Sequence, residues 1–171
     1  RRQRQMCIRD RFINIGIAGS DETYSKIGDL FLINKIIDEN FCLSYYPDIL
    51  IDHKMVESKL TTVEKVVNDK DNQYDSLVDM EASEIFRVCS PIVHIHNIAF
   101  IKIVSDHMEI DLANFNGTLI SSFITDKLDS IIVFLDRFKH LMKIAQPILS
   151  QMDIDWVHKS KEQLLLPETQ T

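Results

Sequence analysis

Short apolar runs rich in β-branched residues, closing on small or polar residues, set the strongest limit on what this chain folds into. Phe12–Ala18 reads FINIGIA and runs into Gly19-Ser20. Asp29–Ile37 reads DLFLINKII, Leu60–Val67 reads LTTVEKVV, and Phe100–Val104 reads FIKIV and stops at Ser105-Asp106. Runs of this length bounded by turn formers are read as strands, and the more apolar ones as buried strands. Between the first two lies SDETYSKIG, a polar loop or short helix, and Tyr45-Tyr46-Pro47-Asp48 marks a turn. The stretch NDKDNQYDS is a polar loop. Leu77-Val78 is a short strand entering a helix placed at Asp79, whose apolar stripe is Ala82, Ile85, Phe86 and Cys89. Asp79 suits the N-cap because its carboxylate accepts otherwise free backbone N–H groups. Ser90-Pro91 closes that helix.

The clearest helical period comes last. Ile120, Ile124, Leu128, Ile131, Leu135, Phe138 and Met142 recur at steps of three or four, which predicts one long amphipathic helix packed on a sheet and ending before Pro147. A less regular helix is expected over Ile148–Leu166, then a frayed tail from Pro167. Strands alternating with helices give an α/β architecture. In such sheets ligands gather beyond the carboxyl ends of the strands. Three ends carry suitable residues: Gly19-Ser20, Asp79 to Glu81, and Ser105-Asp106.

Composition narrows the function. With 171 residues, 45% hydrophobic and 26% charged, the chain holds enough apolar mass for one domain with a sizeable core. No apolar run reaches the ~18 residues of a transmembrane helix, so no membrane partner is expected. Cys7, Cys42 and Cys89 are odd in number and widely spaced, which offers no disulfide framework and fits a reducing, cytoplasmic compartment. The net charge of −7 is a split: residues 1–11 carry +4, and the other 160 residues hold 14 Lys and Arg against 25 Asp and Glu, or −11. An acidic body of this kind is a poor partner for nucleic acid. The tail RRQRQMCIRDR reads as a basic arm, a targeting peptide or translated adapter sequence; it lacks the apolar core of a secretory signal and the serines of a transit peptide. The adapter reading is preferred, which makes residues 1–11 non-native or disordered and the chain a fragment entering near Phe12.

Other signals are discounted. His94-x-His96 would place two imidazoles on one strand face, but no third ligand follows at a metal-binding spacing. Cys89 falls on its helix's apolar stripe and is read as structural. The sequence contains no GxSxG, P-loop or GxGxxG motif.

VDMEASEIFRVC (Val78–Cys89), followed by FIKIVSDHME (Phe100–Glu109), resembles the purine nucleoside phosphorylase and methylthioadenosine/S-adenosylhomocysteine nucleosidase superfamily. Members carry a Met-Glu pair opening a helix and, some two dozen residues later, an apolar strand ending in Ser-Asp. Here Glu81 and Asp106 are 25 residues apart. NIGIAGS (Asn14–Ser20) and IGDLFLINKIID (Ile27–Asp38) are similar to that family's strand-turn and "GD-apolar" segments. The resemblance covers residues 12–140. It implies a three-layer α/β fold, phosphorylase/hydrolase-like, with a central mixed sheet flanked by helices and the first strands missing. The expected division is a partial nucleoside phosphorylase-like domain over 12–146 and a C-terminal helix and tail over 147–171.

The resemblance further implies cleavage of the N-ribosidic bond of a purine or thio-purine nucleoside. The alternative is a non-catalytic nucleoside-binding module, or an inactive fragment of such an enzyme. The sugar becomes oxocarbenium-like as the base leaves with negative charge, much as in glycoside hydrolysis. Asp106 matches the acid that protonates or hydrogen-bonds the base at N7, a role for which it must keep its proton near neutral pH. Glu81 matches the carboxylate that accepts bonds from the ribose 2′- and 3′-hydroxyls and offsets the cationic sugar. Met80 matches the residue packed on the sugar, and Gly19 and Ser20 the turn near ribose and, in phosphorylases, phosphate. Ser105, His107 and Val66 are base-site candidates. Val66 and Val67 stand near the place from which a base-stacking aromatic often comes, and Asp21 and Glu22 would repel phosphate if they faced the site, which favours hydrolysis or no catalysis. No metal and no cofactor is implied beyond phosphate as co-substrate of a phosphorylase. Members are homo-oligomers that often complete a pocket with a neighbouring subunit.

Overall fold

A computed structural model describes residues 11–67, 74–108 and 117–140, and beyond them Met152, Asp155, Trp156, Lys159 and Ser160. The strands are β1 (Phe12–Gly19), β2 (Leu30–Asp38), β3 (Leu43–Tyr45), β4 (Val56–Thr62), β5 (Leu77–Asp79) and β6 (Ile98–Asp106). The α-helices are α1 (Ala82–Cys89), α2 (Gly117–Asp126) and α3 (Leu128–His140), with a short 3₁₀ turn at Ile95–Asn97.

The strands form one mixed sheet in the order β3-β2-β4-β5-β1-β6, and β2 also pairs with β6, so every strand but β3 belongs to a closed ring. β1 runs parallel to β6, and β4 lies parallel to both β2 and β5. β6 pairs antiparallel with β2, and β1 antiparallel with β5. This register sets Gly19 beside Asp106 and Val78, and Thr62 beside Asp79. The carboxyl ends of β1 and β6 therefore lie together beside β5, which in turn sets Asp79 beside the carboxyl end of β4.

Strand alternation sorts the core into two layers. Ala18, Phe31, Leu60, Leu77, Ile98, Phe100 and Val104 pack with Ala82 and Phe86 of α1. Leu32, Ala99 and Ile101 face the other way, onto Ile131, Phe134 and Phe138 of α3. β6 is buried from Ile98 to Ser105, as a strand covered on both faces requires. The result is the expected three-layer mixed sheet flanked by helices.

Several boundaries differ from the sequence expectation. β4 spans Val56–Thr62, not Leu60–Val67. Its neighbours β2 and β5 both end in the row of Asp38, Thr62 and Asp79, so no partner extends past Thr62. The Val63 N–H makes one last bond to the Asp79 carbonyl at 2.8 Å, after which Glu64 to Val66 are exposed. α1 begins at Ala82, with Glu81 as its N-cap and Asp79 ending β5. The Asp79 carboxylate still accepts the Ala82 N–H at 3.1 and 3.3 Å, so it does the capping chemistry from within the strand. The single long helix is broken at Lys127 into α2 and α3. Ser122 and Thr125 hydroxyls donate to the Leu119 and Ser121 carbonyls and so compete with the helical ladder just before the break. In α3 it is Phe134, not Leu135, that is fully buried beside Ile131 and Phe138. His94 and His96 lie on the 3₁₀ turn rather than a strand, their rings stacked at 5.4 Å. β3 was not expected. Of the predicted helix over 148–166, the described residues Met152, Asp155, Trp156, Lys159 and Ser160 are helical. Residues 1–10, Met142 and the tail from Pro167 lie outside the described residues.

Candidate functional site

The site is built from the strand ends that the register gathers. Asp106 is the last residue of β6 and half-buried. Its Oδ2 accepts the Ser105 hydroxyl at 2.6 Å, and its Oδ1 accepts the Met108 N–H at 2.8 Å. Two bonds from its own loop thus fix the carboxyl plane. Met108 holds a left-handed backbone (φ 57°), which turns the chain under that carboxyl and buries the thioether beside it. Gly19 faces the same group. A Cβ there would stand 3.2 Å from Asp106 Oδ1 and 3.0 Å from Met108 Cγ. Glycine at this position makes room for the carboxyl.

Gly19, Val66, Met80 and Asp106, all singled out from sequence, line one small cavity of about 60 Å³ together with Val63, Val67, Val78, Asp79 and Met108. Val63, Val78 and Met108 form a separate apolar cluster that floors it. Met80 is half-exposed at the rim. Glu81 follows as the exposed N-cap of α1, and its carboxylate makes no hydrogen bond or ion pair among the described residues. Glu81 therefore does not line the cavity; it is exposed and follows Met80 in the chain.

The other candidates support this end of the ring without lining the cavity. Ser20 is buried; its N–H donates to the Asp106 carbonyl at 3.1 Å, and its hydroxyl donates to the Asp21 carbonyl and accepts from Ser25 at 2.6 Å. Ser105 is buried behind Asp106, its hydroxyl 3.3 Å from the Ala18 carbonyl as well. His107 places Nδ1 3.2 Å from the Ser20 carbonyl, which accepts only, so that nitrogen carries the proton. Asp21 points to Thr23, whose hydroxyl and N–H both donate to Oδ1; these bonds hold its carboxyl below the usual carboxylate range, with a smaller contribution from His107. Neither Asp21 nor Glu22 lines the cavity.

The sequence reading missed one ion pair. Lys102, in the middle of the apolar run FIKIV, is buried and places Nζ 2.8 Å from Asp79 Oδ2. A lysine at an inward position of a wholly buried strand was the available signal. Among the described residues no cluster of three or more His, Cys, Asp or Glu side chains is arranged to hold a metal. No helix among them is long and apolar enough to cross a membrane. A larger cavity of about 520 Å³ lies between the start of β2, residues 53–56 and α3; it shares no residue with the first and none with the expected site.

No protein-family profile matches the sequence, and no curated protein sequence does. Solved structures do match. An MTAN from Chlamydia trachomatis superposes with a TM-score of 0.56 at 20% identity, over 71% of this chain and 64% of that one. A 5′-methylthioadenosine/S-adenosylhomocysteine nucleosidase from S. pneumoniae, solved with a transition-state inhibitor, gives 0.53 at 18% identity over 77% and 70%. One from Colwellia psychrerythraea, solved with adenine, gives 0.51 at 15% identity over 77% and 67%. The chain has the fold of these nucleosidases and spans less than two thirds of the Chlamydia structure.

Proposed function

We propose that this chain carries part of a nucleoside-cleaving site and acts on the N-ribosidic bond of a purine or thio-purine nucleoside. The observation that carries the reading is the meeting of Gly19, Met80 and Asp106, from three separate stretches of sequence, around one cavity, with Glu81 the residue that follows Met80. The solved neighbours with adenine or a transition-state inhibitor support that ligand class.

In the proposed reaction the bond from the anomeric carbon to the base breaks with its electron pair going to the base. Asp106, held by Ser105 and the Met108 N–H, gives its proton or a hydrogen bond to the base nitrogen that gains charge. Glu81 accepts bonds from two ribose hydroxyls and sets negative charge near the cationic sugar. Met80 packs on the sugar face. Water or phosphate then bonds to the anomeric carbon, and a proton returns to Asp106 through solvent. No resident cofactor is required, and phosphate is a co-substrate in the phosphorolytic case. We further propose a homo-oligomer working in the cytoplasm, whose state light scattering on the purified chain would give.

A non-catalytic nucleoside-binding module is the second reading. It is favoured by the position of Glu81, exposed and outside the cavity lining that holds Asp106, so that the two carboxylates do not share one wall. The test is release of free base from methylthioadenosine, adenosine and inosine, with and without phosphate, beside calorimetric binding of each. Asp106→Asn should lower cleavage about 10²-fold or more and leave nucleoside binding nearly intact. Glu81→Gln should weaken both. Binding without release selects the module; wild-type turnover in either variant removes the role assigned to that residue.

A further inference from the structure

Glu81 and Asp106 stand on different elements, and a two-carboxylate site needs the start of α1 fixed relative to the end of β6. Glu81 caps α1 by position only, because its side chain makes no cap bond. The free N–H groups of the first turn are held from elsewhere. Ala82 N–H donates to Asp79, and Ser83 N–H donates to Thr62 Oγ1 at 3.1 Å. The Thr62 hydroxyl in turn donates to Asp79 Oδ1 at 2.8 Å. Behind this lies Lys102, with its side chain 2% exposed and its ammonium 2.8 Å from Asp79 Oδ2. Gly16, level with Lys102 on β1, leaves space for the ammonium: a Cβ there would stand 3.2 Å from Nζ.

We infer that Lys102 is a positioning residue for the proposed reaction: through Asp79 it fixes the start of α1, and so the place of Met80 in the cavity lining and of Glu81 next to it in the chain. The physical reason is charge. Asp79 lines the cavity and is buried. A buried carboxylate without a counter-charge takes up a proton or swings toward solvent. Either course loosens its hold on the Ala82 N–H, and the second sets a rival carboxylate beside Glu81. The ammonium holds the Asp79 carboxyl facing inward, so that its oxygens stay on the helix.

The inference rests on the proposed function for its kinetic part only. Lys102→Met alone leaves a buried charge unpaired and is expected to unfold readily, so the test uses Lys102→Met/Asp79→Asn, in which no charge is stranded. This double variant should melt close to the parent. Its KM for methylthioadenosine should rise at least tenfold, and adding Glu81→Gln should bring little further loss, because the carboxylate is already misplaced. Adding Asp106→Asn should multiply the losses in kcat/KM as independent changes do. Amide hydrogen exchange gives a readout that needs no substrate: Ala82 and Ser83 should lose at least tenfold protection while β6 amides keep theirs. Unchanged protection at Ala82 and Ser83 overturns the inference whether or not the protein cleaves nucleosides. A Glu81 effect in the double variant as large as in the parent overturns its kinetic part. Failure of the parent to release base, with the exchange result as expected, removes the proposed function and leaves the positioning of α1 standing.

Discussion

Gly19 and Asp106 show how narrow the geometry is at the level of single residues. A methyl group on Gly19 would press on the Asp106 carboxyl and on the Met108 side chain. The thioether can yield by rotation, but the carboxyl is tied at both oxygens. Gly19→Ala should therefore reduce base release about tenfold or more, while destabilising the fold by only ~1–2 kcal/mol, within the usual span of single substitutions. Urea unfolding beside a cleavage assay separates the two effects, and equal activity in the variant would mean that the carboxyl moves freely. Asp21 gives a pH prediction. Its carboxyl is held low by Thr23, hydroxyl first and N–H second. A depressed folded value contributes stability that is present above the unfolded carboxylate value of about 3.9 and lost as pH falls through the folded one. Thr23→Ala should raise the Asp21 midpoint in a carboxyl-carbon NMR titration. Parent and variant should then differ in urea midpoint at neutral pH and converge in acid, and a difference that persists undiminished in acid would mean that Thr23 acts through packing alone. That Gly19, Met80 and Asp106 share one cavity agrees with the resemblance of their motifs, taken in order, to the nucleosidase superfamily. Lys102 was not legible in the sequence, because a lysine inside FIKIV reads as a solvent-facing residue until the strand is known to be covered on both faces.

Local pattern predicted the strands well where one residue type dominated, and failed where an element's length depends on its neighbours. β1, β2 and β6 carry their own apolar runs and appear within one or two residues of expectation. β4 is displaced because β5 is only three residues long and ends the ladder. The break at Lys127 was hidden because the apolar period continues across it, whereas the serine and threonine hydroxyls that disturb the ladder leave no mark on that period. The turn before β2 does depend on one residue. Gly28 has φ 88°, and its N–H donates to the Val104 carbonyl at 2.8 Å. No atom of the described residues stands near its missing Cβ, so Gly28→Ala meets backbone strain without a clash and should cost about 1–2 kcal/mol in urea unfolding. Phe134 tests the outer layer. It is buried against β6 and stacks on Phe138 at 5.5 Å, so Phe134→Ala should cost about 3–5 kcal/mol. Loss below about 1 kcal/mol would mean that α3 adds little to the fold.

At the scale of the whole molecule, closure of the ring decides which parts move together. β6 is hydrogen-bonded to β1 along its length and to β2 at Ile101–Ile103, and both of its faces are covered. Its amides cannot reach water unless the ring opens. Among the described residues β3 pairs with β2 alone and is mostly exposed, and α2 buries no residue. Opening these elements exposes little apolar surface, so it requires far less free energy than opening the ring. Native-state hydrogen exchange should therefore sort the chain into two groups. Amides of Ile101 to Val104 should exchange only through global unfolding, with a free energy equal to that from urea denaturation and the same denaturant slope. Amides of β3 and α2 should exchange through local opening, nearly independent of denaturant. The candidate site sits on the boundary, since Asp106 belongs to the rigid strand and Glu81 caps a helix whose first N–H groups bond to Asp79 and Thr62 of the ring, Asp79 being paired with Lys102. The Ala82 and Ser83 amides should follow the slow group for as long as that pair is intact. Exchange of β6 as fast as that of β3 would show that the strands do not unfold as a closed unit, and the cavity at their ends would then have no fixed wall on which to hold a nucleoside.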